Sequence, residues 1–136
     1  MKAILLAGVM MVAACASAGA PSASPLPSGE WRLTSLNGQA PGAERKPTIQ
    51  FGEQEGVERA GGFAGCNRWF GTVSREGSAT TISSVGATRM FCEGAMDLEQ
   101  SYLETLGKTA AIETSPGALI LKDASGVEIA RFERVS

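Results

Sequence analysis

Hydrophobic and polar positions follow three regimes along this chain. An unbroken apolar run fills Ala3 to Ala13, small residues and prolines with the single larger Leu26 continue to Ser28, and alternation begins only at Gly29. From there Trp31 and Leu33 alternate with polar neighbours, which predicts a half-buried strand ending at an Asn37-Gly38 turn. A second short strand is expected at Thr48–Phe51, followed by a polar turn over Glu53–Gly56. Val57 to Val73 carries Gly61, Gly62, Gly65 and Gly71 among aromatic residues, as a sharply bent hairpin or bulged strands would. Thr80–Val85 reads as another strand, and Thr88, Met90 and Cys92 share one face if their segment is extended. Helical spacing occurs once, in Leu98, Tyr102 and Leu106, with Met96 and Leu103 nearby. Asp97 and Gln100 resemble a capping pair there, and Gly107 sits where the helix would stop. Strands return at Ala110–Glu113, Ala118–Lys122 and Val127–Phe132, with a hairpin turn over Asp123–Gly126. The pattern predicts an α+β domain, mainly antiparallel β, as a curved sheet or partial barrel with one inserted helix.

The first two regimes describe export. Lys2 precedes the apolar run, in the charge-then-apolar order of a secretory signal. The run is shorter than the roughly 20 residues that a spanning helix needs. It closes on Val12-Ala13-Ala14-Cys15, small residues followed by a cysteine, as a lipoprotein box requires. Residues 1–14 are therefore expected to be a signal peptide, and Cys15 the acylated first residue of the mature chain. Residues 15–28, rich in Ala, Ser and Pro, read as a flexible tether, leaving a domain over residues 29–136. Ala16, rather than aspartate, after the cysteine points to the periplasmic face of an outer membrane in a double-membraned cell.

Charge narrows the function classes. Twelve Lys and Arg face fourteen Asp and Glu without a basic tract, which makes nucleic acid a poor partner. The chain has no histidine, so the commonest general base and transition-metal ligand are missing. No cofactor or metal is expected. With Cys15 acylated, Cys66 and Cys92 remain, and an oxidising compartment makes their pairing the expected outcome. A reactive thiol or metal pair is the alternative, unsupported by any CxxC, histidine or further ligand cluster.

Several of these residues carry a resemblance. Trp31-x-Leu33 with Leu36-Asn37-Gly38, then Phe51, then Gly65-Cys66-Asn67-Arg68-Trp69-Phe70-Gly71, is similar to the META/HslJ domain. Thr88-x-Met90-x-Cys92 followed by Glu99, Tyr102 and Leu106 fits its second half. The resemblance spans residues 29 to 135 and implies a disulfide between Cys66 and Cys92. It also implies an exported, often lipid-anchored protein linked to envelope or heat-shock stress, with no reaction attached. The family's fold resembles lipid-binding pilot lipoproteins, an analogy that extends to function only weakly.

The remaining candidate features have ordinary structural readings. In an extended segment Trp69 and Phe70 face opposite ways, so one of them belongs to the core, and both are expected mainly to pack. Asn67 is expected to be a turn residue with an unusual backbone angle. The glycines at 61, 62 and 65 suit tight bends better than a phosphate cradle, because no strand-to-helix context follows them. Glu93, Asp97 and Glu99 are placed by the helix dipole rather than as a catalytic carboxylate pair. Met90-Phe91 is expected in the core. The leading expectation is a non-enzymatic, partner-binding envelope lipoprotein. Its first alternative is a carrier or pilot-type module with an apolar cavity lined by Ile49, Phe51, Met90, Leu103 and Leu119. The second is an inhibitor of a periplasmic wall-degrading enzyme.

Overall fold

The computed structural model describes residues 25–135; the signal segment 1–14, Cys15 and the spacer as far as Ser24 lie outside the described residues. Eight strands and one helix follow in chain order among them. They are β1 (Glu30–Leu36), β2 (Thr48–Gln54), β3 (Val57–Phe63), β4 (Arg68–Glu76), β5 (Ala79–Ala87), α1 (Met96–Gly107), β6 (Ala111–Ser115), β7 (Ala118–Lys122) and β8 (Glu128–Arg134). One antiparallel sheet runs in the order β5-β4-β3-β2-β1-β8-β7-β6. Its ladder does not close. The margins β5 and β6 come together through one backbone hydrogen bond, from Thr80 N to Ala110 O at 2.9 Å. The architecture is the curved α+β sheet that the alternation predicts.

Turn chemistry sets the register. Asn37 and Gly38 both take positive φ, 49° and 82°, and Leu36 and Gln39 exchange backbone hydrogen bonds across them. This is the geometry for which an Asn-Gly pair is favoured. Glu55 and Gly56 repeat it at 53° and 78°, so β2 continues through Gln54 beyond the expected end at Phe51.

The inner face of the sheet and the buried face of α1 share one core. Trp31, Leu33, Ile49, Trp69, Tyr102 and Phe132 are among its members. The Tyr102 ring lies edge-on to Trp69 and Phe132, at 6.0 and 6.2 Å between centroids. Leu26 packs against this core, and the Ser28 carbonyl accepts the Trp31 indole N–H at 3.2 Å. The folded domain therefore begins before Gly29, and the end of the expected tether is part of it. Among the described residues every buried core residue falls between Trp31 and Phe132, so the stretch from Pro25 onward holds this core intact.

The Thr48 carbonyl ties helix to sheet. It accepts the Trp69 indole N–H at 3.0 Å and the Tyr102 hydroxyl at 2.9 Å. Gly62 makes this approach possible, since a Cβ there would lie 2.8 Å from the Thr48 carbonyl carbon. Burial holds the Tyr102 phenol well above its ordinary pKa. Above about pH 10 the unfolded chain loses this proton while the folded one keeps it. Stability should then fall with rising pH, by up to about 1.4 kcal/mol per unit from this group. Tyr102 is the chain's one tyrosine, so an alkaline titration followed by tyrosinate absorbance reads it alone. The signal should appear together with unfolding; ionisation of the intact fold near pH 10 would contradict the burial argument.

Candidate functional site

Gly65 to Asn67, between β3 and β4, face the first turn of α1. Glu99 there is 5% exposed. Its Oε1 accepts the backbone N–H groups of Cys66 and Asn67, at 3.1 and 2.6 Å. Its Oε2 accepts the Asn67 side-chain Nδ2 at 2.7 Å. Three N–H donors thus compensate a charge that would otherwise be costly to bury.

Asn67 extends the network to the segment after β5. Its Nδ2 also donates to the Met90 carbonyl at 3.0 Å, and its Oδ1 accepts from Met90 N at 2.6 Å and Thr88 Oγ1 at 3.0 Å. The Thr88 hydroxyl in turn accepts from Arg68 N at 3.2 Å, and Thr88 N donates to Arg68 O at 3.0 Å. The Cys66–Cys92 disulfide closes the same loop, its Cα atoms 5.7 Å apart. Gly65 takes φ 125° where the chain passes Glu99, a backbone angle that suits glycine. Gly65, Cys66, Asn67, Thr88, Met90, Cys92 and Glu99 are therefore brought together in one knot, which pins a loop and a helix to the sheet.

Several expectations change here. Thr88–Cys92 is not a strand with one shared face but a loop, held by Asn67 and the disulfide. Asn67 does lie in the bend between β3 and β4, but not at an unusual angle: it is 1% exposed, has no positive φ, and satisfies both ends of its amide. Glu99 does stand in the first turn of α1, where the dipole favours an acid, but it is buried there rather than solvated. It lies three and seven residues before Tyr102 and Leu106, on the buried stripe of α1, and that spacing is the signal by which the sequence could have identified it. Glu93 and Asp97 are exposed, so the three acids form no common group. No Asp97–Gln100 cap forms, because the N-cap of α1 falls two residues earlier, at Ala95, which makes no side-chain bond. Gln100 instead donates to Glu104 at 3.2 Å.

The aromatic pair divides as alternation requires: Trp69 is buried and Phe70 is 58% exposed. The Phe70 ring covers Gly86, where a Cβ would come within 2.7 Å of it. Phe70 is thus not core, and neither are Met90 and Phe91, which are 60% and 80% exposed. The five apolar candidates are not brought together. Ile49 and Leu119 are fully buried in the packed core, Phe51 and Leu103 flank it, and Met90 stands outside. The reason is that Trp31, Tyr102 and Phe132 fill the interior that such a cavity would need.

Chemically the knot is a latch. Both carboxylate oxygens of Glu99 are engaged by positioned donors, which suits holding a loop better than exchanging protons with a substrate. Among the described residues no group of three His, Cys, Asp or Glu side chains is arranged to hold a metal ion. No described helix is long and apolar enough to cross a membrane.

Comparison with known proteins agrees with the motif. No curated protein sequence matches the chain. The NMR structure of a protein from Burkholderia xenovorans matches with a TM-score of 0.62 and 24% identity, over 82% of this chain and 84% of that one. A second NMR structure matches at 0.58 and 24%, over 78% and 88% respectively. These likenesses concern the fold. The META domain family model matches residues 24–136, the stretch that contains the latch and the whole core, and the chain belongs to the META domain family.

Proposed function

We propose that this protein is a non-enzymatic lipoprotein of the cell envelope, anchored through acylated Cys15, whose META domain is a rigid binding module. The observation that supports it best is the state of the family signature. Its polar side chains bond to one another and its cysteines are paired, so the signature maintains a shape. The N-terminal order of one charge, an apolar run and a small-residue box before Cys15 supports the anchor. The periplasmic face of the outer membrane, suggested by Ala16, is the proposed location, with an envelope protein or the membrane itself as partner.

Metabolic labelling with an alkynyl fatty acid tests the anchor. The wild-type chain should be labelled and sediment with membranes, whereas Cys15→Ser should be neither processed nor labelled. An unlabelled wild-type protein would overturn the reading. Crosslinking of the anchored protein in its own membrane, followed by pull-down, then identifies what it binds.

A further inference from the structure

A groove of about 850 Å³ lies on the outer face of the sheet. Its floor is a cross-strand row. Arg32 stands opposite Glu133 and Thr48, and Phe63 opposite Arg68. Phe63 N donates to Thr48 Oγ1 at 3.0 Å and joins the two halves. The segment between β1 and β2 forms the other wall, with the Arg45 guanidinium 4.2 Å from the centre of the Phe63 ring.

The charges of this groove are unevenly matched. Arg32 is occupied by Glu133 at 2.6 Å. Arg45, Lys46 and Arg68 have no carboxylate partner among the described residues, while Glu30 and Glu44 also stand on the rim. The cations gather here although the chain as a whole carries a net charge of −2.

Met90 also lines the groove. It and Phe91 project from a loop that Asn67 and the disulfide hold in place, next to exposed Arg89. Two large apolar side chains held rigidly in water, beside unpaired cations, match a layered partner with phosphate outside and hydrocarbon beneath. Glu30 and Val135 line the same groove, so both ends of the domain lie on this side. On the anchoring reading, the ten residues from 15 to 24 reach at most about 35 Å, which keeps this face near the membrane.

We infer that the groove and the Met90–Phe91 loop form a docking surface for an anionic phospholipid bilayer. Lipid phosphates sit among Arg45, Lys46 and Arg68, and Met90 and Phe91 enter the boundary with the acyl chains. The inference rests on the anchored-module reading for its orientation, and its test is separate.

The domain from Pro25 to Ser136 lacks the anchor and can be mixed with vesicles of phosphatidylcholine, with or without phosphatidylglycerol. It should sediment with the anionic vesicles only, and less so as salt rises. Each removed cation should lower the partition about five-fold, so Lys46→Glu with Arg68→Glu should lower it at least about 25-fold. Phe91→Ser should weaken binding without changing its salt dependence. All three positions are exposed, so thermal midpoints should stay at the parent value. Equal binding to neutral vesicles, no binding to either, or full binding by the double variant would overturn the inference. An acidic protein partner would give the second of these results. Acylated Cys15 with no vesicle binding would remove this inference alone; vesicle binding with unlabelled Cys15 would remove the anchor alone.

Discussion

Replacing Glu99 by alanine should destabilise the domain by about 3–5 kcal/mol, because three N–H groups at 2.6–3.1 Å lose one shared acceptor. Each buried donor left unmade costs about 1–3 kcal/mol. Glu99→Gln is the sharper test, since it keeps the shape. Its carbonyl oxygen can still accept the two backbone bonds at Oε1, but its amide nitrogen then faces the Asn67 amide nitrogen. Two donors oppose each other there, and the expected loss is about 2–3 kcal/mol. Urea unfolding followed by fluorescence of Trp31 and Trp69 measures both variants. A Glu99→Gln domain as stable as the parent would show that the charge and its second acceptor are dispensable.

Removing the disulfide with Cys66→Ala and Cys92→Ala should cost about 3.5 kcal/mol, from the chain-entropy model for a sequence separation of 26. The more informative result is its coupling to Asn67. Disulfide and amide pin the same loop, so a loop already released leaves Asn67→Ala less to disrupt. The two losses should fall short of their sum by about 0.5–3 kcal/mol. Strict additivity would mean that the disulfide constrains the unfolded chain alone and does nothing for the latch.

The strands and the helix were legible because their signals are local. Trp31 and Leu33 show one face of β1, and Leu98, Tyr102 and Leu106 show the turn of α1. The latch was legible as a list of residues but not as an arrangement. Asn67 acts on Met90 and Glu99, 23 and 32 residues away, and no local pattern distinguishes such an asparagine from one in a turn. Met90 and Phe91 mislead for a related reason. Apolar residues near a cysteine suggest core, yet here the loop is held by hydrogen bonds and a covalent link, so its apolar side chains need not be buried to fix it. The apolar lining failed on volume: a core containing Trp31, Trp69, Tyr102 and Phe132 fills a small sheet of this curvature.

The seam between β5 and β6 bears on how such molecules tolerate one another. Proteins fixed to a surface meet repeatedly in two dimensions, where an open strand edge recruits a neighbour most readily. Here Thr80 and Ala110 draw the two margins together, α1 packs against β5, and β6 is five residues long. Ser84 takes φ 52° near the register shift between β4 and β5, which bends that edge out of line. A chain arriving from a neighbouring copy meets a short, bent margin at this seam rather than a long straight strand. On the anchoring proposal, copies crowded on one membrane would meet a guarded margin here rather than a bare one.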